Sequence, residues 1–478
     1  NAFAQHLSGR ETAELRRWLL GSDGGRNATR LRGLQRRLED LVLDDAPAAE
    51  ALEALLLAAR ALPGEGWRQR LDEGRPQGTT EVFLEAVRQQ VLARADRIED
   101  GYDLECDSQP PAPAVLQAAA RLDAQLGLLQ RPAAELLGRL TAILDEGAET
   151  LDADQRRRLE GAIRSLQRRA LDPVLGWRAM LASLSGDTPP QFVDWMAVER
   201  TEGRAVDLGL YRHWLDPLQP FAEVVVKPEH RLVVTSARLT DAGGEGEQDW
   251  ARAERRSGAP QAGIAAVRAR VPSPFDYAGQ TRLFVVTDVA KGRIESLASA
   301  YRALILAAGG GALGLFTSIA RLRGVQRHLA PALAAEGLEL YAQHVDPFDT
   351  STLVEIFRAE ENASLLGTDA VRDGVDVPGR SLRLVVFDRV PWPRPDIRHR
   401  ARRAAFGGKD YDEETVRRRL RQAFGRLIRR ADDQGVFVVL DSGLPTRLLT
   451  AFPAGVPVAR VGLAEAVAET RRFLSPRQ

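Results

Sequence analysis

Gln422, Arg426 and Arg429 recur at i, i+4 and i+7, the spacing that lines side chains along one stripe of an α-helix. Leu420, Phe424 and Ile428 recur at i, i+4 and i+8 and predict a second, apolar stripe turned toward a sheet. Packing of the apolar stripe would hold the polar one rigid. Two guanidiniums presented in that way suit the negative charge that develops on a phosphoryl group during transfer. The same spacing also serves a solvated charged face, and spacing alone does not separate the two. Arg417, Arg418, Arg419 and Arg430 read as a solvated or DNA-facing surface beside them.

Two further places could do chemistry. Thr317 and Ser318 follow the apolar run "GALGLF" and open a helical stretch. Their hydroxyls, with the first free N–H groups of a helix, would make an anion site, or simply an ordinary helix cap. Residues 367 to 379, "GTDAVRDGVDVPG", form a loop rich in Gly and Asp. Glycine there allows close backbone approach, although a surface turn has the same composition.

The elements that must position these residues fall into two styles. Residues 1 to about 195 place apolar residues at i, i+3, i+4 and i+7 almost throughout, as in "AAEALEALLLAARAL" and "TTEVFLEAVRQQVLARADRIED", which predicts helices. Breaks fall at Pro63-Gly64, Pro110-Pro111 and Pro189-Pro190. From about residue 220, continuous apolar runs of strand length appear: "RLVVTSARL", "TRLFVVTDV", "GALGLFTS", "ASLLGT", "SLRLVVFDRV" and "GVFVVLD". Helical stretches alternate with them, the last being "EETVRRRLRQAFGRLIRR". That alternation predicts an α/β fold, a parallel sheet with helices on both faces, preceded by an all-helical domain. In such sheets ligands bind beyond the carboxyl ends of the strands, so the residues after each strand are the first candidates.

Composition sets the outer bounds. The 478 residues hold 44% apolar and 28% charged residues, the balance of a globular chain rather than a disordered one. Lys plus Arg equals Asp plus Glu at 66 each, so global charge points to no polyanion, although a local basic track would suffice. One cysteine, Cys106, excludes a disulfide framework within these residues and fits a reducing cytoplasm. Six scattered histidines predict no histidine metal site. No apolar run is long enough for a membrane helix. The opening "NAFAQHLSG" has neither Met nor a signal-peptide pattern, and it is read as the start of a fragment or a processed product.

In order along the chain, these pieces resemble the C-terminal motor half of a superfamily 2 DNA helicase of the DinG/XPD type. "QAFGRLIRRADDQG" resembles that family's Gln-x-x-Gly-Arg-x-x-Arg motif, and "LGTDAVRDGVDVPG" its Gly-Thr…Gly-Val-Asp-x-Pro-Gly motif. "LFTS", "VVTSARL", "SPFDY" (273–277) and "VPWPRP" (390–395) are similar to further family segments. Departures occur at Arg238, at Arg372-Asp373 and at Asp441-Ser442-Gly443.

The resemblance implies a RecA-like second motor domain over 251–478, the end of a first RecA-like domain over 196–250, and a helical arch-like domain with remnants of the first motor domain over 1–195. It implies that ATP and Mg²⁺ bind between two motor domains. Arg426 and Arg429 would then reach the γ-phosphate, with Gln422 positioning the hydrolytic site and Gly374, Asp376 and Gly425 lining the nucleotide cleft. It places Thr317, Ser318 and Thr368 on the backbone of single-stranded or forked DNA, and it implies translocation from 5′ to 3′. No Gly-x-x-x-x-Gly-Lys-[Ser/Thr] loop and no Asp-Glu-Ala-His box occur in these residues. The expectation is therefore that the chain lacks half of the active site and has no ATPase activity alone. The iron–sulfur cysteines of some members would lie upstream, so no cluster is expected in this segment. Two alternatives are a non-catalytic nucleic-acid-binding or scaffold protein with a helicase-like domain, and a helicase–nuclease fusion. The acidic residues offer no paired metal-site spacing for the latter.

Overall fold

The computed structural model describes residues 4–21, 33–95, 103–147, 151–201, 203–228, 232–236, 239–240, 246–290, 292–369, 371 and 377–475. The chain divides into two compact units, residues 1–220 with 395–402, and residues 221–394 with 403–478.

The first unit is mostly helical, as its periodicity predicts. Its longest helix, Pro113–Glu146, runs unbroken through Pro132, where the sequence reads as two separate stretches. An interior proline costs about 3 kcal/mol. Leu122, Leu126, Leu129, Leu136 and Leu140 are buried along one face of this helix, and each buried leucine contributes about 1.5–3 kcal/mol. The continuous seam therefore outweighs the proline.

The unit also contains a four-stranded antiparallel sheet, an addition to the expected helices. It has the order β1-β4-β3-β2, with β1 Ala4–Ser8, β2 Leu104–Asp107, β3 Phe192–Thr201 and β4 Arg204–Trp214. A buried fork joins β3 to β4, with Arg212 Nε donating to Asp194 Oδ1 at 2.8 Å and a terminal nitrogen to Oδ2 at 2.6 Å. On the sheet, His6 and His213 stack with their Nε2 atoms 3.0 Å apart.

The second unit carries seven parallel strands in the order β11-β5-β10-β9-β6-β8-β7. They are β5 Thr281–Val286, β6 Ala312–Leu315, β7 Leu340–Ala342, β8 Ser364–Gly367, β9 Leu384–Phe387, β10 Gly435–Val439 and β11 Val458–Val461. Alternate residues serve two cores. Leu283, Val285, Phe437 and Val439 pack with the helices Thr350–Ala359 and Lys409–Phe424. Phe284, Val286, Val436 and Val438 pack with Ile294–Ala308, Ile319–Ala334 and Leu463–Leu474. Burial on both faces explains why these strands read as unbroken apolar runs, and the expected α/β class is what the unit has. The short β7 and β11 lack such runs and are not anticipated.

The run "RLVVTSARL" is not a strand where it is described. Residues 232–236 pair with neither sheet, and Val233 is 83% exposed. A strand forms only where its backbone groups find partners, and its composition alone supplies none. Ala237 and Arg238 lie outside the described residues.

Arg383, 5% exposed, stands just before β9. It donates to the carbonyls of Ala308, Gly309, Glu361 and Arg380 and to Asn362 Oδ1. One side chain thus ties together the loops leading into β6, β8 and β9. The acceptors are neutral, and burial pushes the guanidinium down to about 10.

The histidine pair yields a test of the first unit. Burial is the main cause that holds His6 below its ordinary value and His213 down at about 3, with Arg398 adding to both. A depressed folded pKa means that the unfolded chain binds more protons between pH 6.5 and about 3. The stability contributed by the neutral pair is complete above pH 6.5 and is lost as pH falls through that window. Urea unfolding at pH 7 and pH 5 is expected to show a lower midpoint at pH 5, and His213→Gln is expected to reduce that difference.

Candidate functional site

The helix Lys409–Phe424 returns from the end of β9 to the start of β10, antiparallel to the strands. It stops at Phe424, so the expected single stripe through Arg429 is broken. Gln422 remains on the helix and is exposed. Gly425 donates its N–H to Arg421 O, and Arg426 and Leu427 continue as tight turns, with Arg426 N reaching Ala423 O at 3.2 Å and Leu427 N reaching Phe424 O at 3.1 Å. Arg426 is partly buried in that turn, whereas Arg429 and Arg430 are exposed beyond it. Leu420, Phe424 and Ile428 are all buried in the sheet-facing core, as the apolar stripe predicts. Ile428 reaches it from the loop rather than from the helix.

The helix ends because a different set of bonds takes over. The Asp433 carboxylate accepts the N–H groups of both Arg429 and Arg430 at 2.7 Å. The Gln280 amide donates to the carbonyls of Arg430, Ala431 and Asp433 at 3.3, 3.0 and 3.0 Å. Gly435 opens β10 directly against Leu427, where an added Cβ would lie 2.8 Å from a Leu427 methyl carbon. The arginine loop is therefore seated at the amino ends of β5 and β10. This corrects the expectation that candidates follow the strands, since these side chains precede one.

The hydroxyl candidates occupy the opposite rim. Thr317 follows β6, and its N–H donates to Asp388 Oδ1 at 3.1 Å, while Arg321 Nε donates to Asp388 Oδ2 at 2.6 Å. Burial raises the Asp388 pKa, against the pull of Arg321 and Arg389. Ser318 holds the N-cap position of helix Ile319–Ala334 but makes no side-chain cap bond there. Thr368 follows β8, and its N–H and hydroxyl both donate to Gln343 Oε1, at 3.0 and 2.9 Å. Gln343 in turn donates to Thr350 Oγ1 at 3.1 Å. The adjoining His344 has φ 66, a region that non-glycine residues rarely enter and that clusters at functional sites. Its carbonyl accepts two bonds from Arg323.

Thr317, Ser318 and Thr368 thus gather along the carboxyl rim, while Gln422, Gly425, Arg426 and Arg429 gather along the amino rim. The strand pattern did not reveal Gln343, His344, Asp388, Gln280 or Asp433. Gln343 follows a three-residue strand with no apolar run, and the others are single polar residues. Gly374 and Asp376 lie outside the described residues. Gly367 closes β8, where an added Cβ would lie 2.5 Å from a Val371 methyl carbon. Among the described residues no group of three or more His, Cys, Asp or Glu could hold a metal ion, and no helix is long and apolar enough to cross a membrane. Burial raises the Cys106 thiol to about 11, which leaves it unreactive near neutral pH.

Residues 302–457 match the helicase C-terminal domain family. The matched segment is similar to that family over five of the seven parallel strands, β6 to β10, and β5 and β11 lie outside it. The ATP-dependent helicase DinG of Mycobacterium tuberculosis (strain H37Rv) is 40% identical over 190 residues, covering 37% of this chain and 28% of that protein. The ATP-dependent DNA helicase YoaA of Escherichia coli K12 is 33% identical over 201 residues, covering 40% of this chain and 31% of that protein. The 3′-5′ exonuclease DinG of Bacillus subtilis is 27% identical over 266 residues, covering 53% and 28%. The chain spans under a third of the length of these relatives. Among solved structures, S. cerevisiae Dbp5 bound to RNA and ADP BeF3 overlaps 49% of this chain and 54% of its own, at 12% identity and a TM-score of 0.32.

Asp388 offers a direct test of how the carboxyl rim is held. Asp388→Ala removes the acceptor for Thr317 N–H and for Arg321, at an expected cost of about 3 kcal/mol in unfolding free energy. Chemical denaturation of the two proteins side by side measures it.

Proposed function

We propose that this chain supplies the second motor domain and a helical arch to an ATP-dependent DNA helicase that translocates along single-stranded DNA. The observation that carries the reading is the seating of the Gln-x-x-Gly-Arg-x-x-Arg segment. Its two arginines lie on a loop fixed at the amino ends of β5 and β10, on the rim opposite the Thr and Ser residues. In this reading Arg426 and Arg429 meet the charge developing on the terminal phosphoryl group, and Gln422 positions the hydrolytic water. Gly425 keeps the turn low enough for a nucleotide to approach, and Gly374 and Asp376 line the same cleft. Mg²⁺ supplies charge neutralisation in such chemistry, and we assign it no ligand on the described residues.

On the other rim Thr317, Ser318 and Thr368 contact DNA phosphates, which orient a strand without reading its sequence. The Thr368 hydroxyl donates to Gln343, so binding requires it to exchange that acceptor for a phosphate oxygen. A phosphate-cradling loop with its lysine would come from a first motor domain, as would the acidic metal-binding box. These residues alone are then without ATPase activity. Cleft opening and closing would move the protein 5′ to 3′ along the strand, and a cytoplasmic setting suits that work.

Two measurements test this reading. In the intact protein Arg426→Ala is expected to lower DNA-stimulated ATP turnover about a thousandfold, with the melting temperature unchanged. Unaltered turnover would contradict the phosphate-facing role. Thr368→Val is expected to weaken single-stranded DNA binding by a similar factor on every sequence tried, measured by fluorescence anisotropy. Sequence-dependent losses would contradict it. An intact protein that binds DNA but never hydrolyses ATP would favour the non-catalytic alternative.

A further inference from the structure

The segment "SPFDYAGQ", residues 273–280, ends in the glutamine whose amide seats the arginine loop. Asp276 Oδ1 accepts Gly279 N–H at 3.1 Å, and Asp276 O accepts Gln280 N–H at 2.8 Å. These bonds wind Tyr277–Gln280 into a single helical turn directly before β5. The Tyr277 ring lies 6.1 Å from that of Phe424, the last residue of the helix that leads into the arginine loop. The turn aims Gln280, 8% exposed, at the three carbonyls of the arginine loop, while Asp433, 6% exposed, takes two N–H groups of the same loop.

We infer that Gln280, held by the turn at Asp276 and working with Asp433, is a positioning residue for Arg426 and Arg429. It fixes the loop backbone so that the guanidiniums are already in place when the nucleotide's terminal phosphate arrives. This rests on the phosphate-facing reading of those arginines. The physical basis is donor and acceptor pairing. Without the amide, three carbonyls converge with no common donor, and the loop is free to adopt conformations that withdraw its side chains. Misplacement of a catalytic group by about 1 Å costs roughly a hundredfold in rate. Ground-state affinity for ATP is set mainly by the phosphate-cradling domain and should change little. A residue that served folding alone would instead lower stability and DNA affinity together.

The experiment uses the intact protein with Gln280→Met, which keeps the side-chain length and removes the donor. Gln280→Asn keeps the amide but falls one methylene short. For both, the expected result is a roughly hundredfold lower kcat for DNA-stimulated ATP hydrolysis. KM for ATP and Kd for single-stranded DNA should stay within about twofold, and amide hydrogen exchange at Arg429 and Arg430 should be faster. In an Arg429→Ala background Gln280→Met should add little, because both act on one step. Should Gln280→Met lose its melting transition, Gln280→Asn decides by the same criteria. The inference is overturned if kcat survives in the folded Gln280 variants while Arg426→Ala and Arg429→Ala abolish turnover. If the arginine variants themselves keep turnover, it is the phosphate-facing reading that fails.

Discussion

A parallel sheet buried on both faces imposes one constraint on everything attached to it. Each connection must carry the chain from the carboxyl end of one strand back to the amino end of the next. Residues that leave a strand and residues that enter one are therefore sorted onto opposite rims. With β10 running from Gly435 to Val439, a rise of about 3.3 Å per residue keeps the rims about 16 Å apart. No single phosphate bridges that gap. In the proposed reading, the hydroxyl set after β6 and β8 and the arginine set before β10 meet different ligands, or different parts of a long one. A motor that couples nucleotide chemistry to a nucleic-acid strand needs such a separation.

Neither rim is built by the strands alone. On the carboxyl side Asp388 fixes the backbone of Thr317, and Gln343 holds Thr368. On the amino side Arg383 joins three loops, and Gln280 with Asp433 seats a fourth. Each is a buried polar side chain with at least one backbone partner in a loop. A buried polar group left unpaired costs about 1–3 kcal/mol, so these side chains make the loop conformations mutually dependent. The cores set where the rims are, and the polar clamps set which side chains the rims present.

This division also explains what the sequence makes legible. Long apolar runs such as "SLRLVVFDRV" announce β9 because both of its faces are buried. The helix Lys409–Phe424 announces itself by period. Its end does not, because Leu420, Phe424 and Ile428 keep helical spacing past the point where the backbone leaves the helix. That end is decided by Asp433 and Gln280, which lie downstream and far upstream of it. Two strands of the small antiparallel sheet of the first unit were hidden for a similar reason. β1 and β2 are too short to carry a period, and their pairing partners are distant in sequence. The segment at 232–236 errs in the other direction, with strand composition but no strand to pair with.

We propose that the two rims serve two ligands, nucleotide at the amino ends and nucleic acid at the carboxyl ends. Hydrogen exchange on the intact protein, with a non-hydrolysable ATP analogue and single-stranded DNA added separately, tests it most directly. The nucleotide should protect residues 425–433 and leave 317–322 unchanged, and the DNA should do the reverse. Protection of one rim by both ligands, or of neither rim by the nucleotide, would contradict the account.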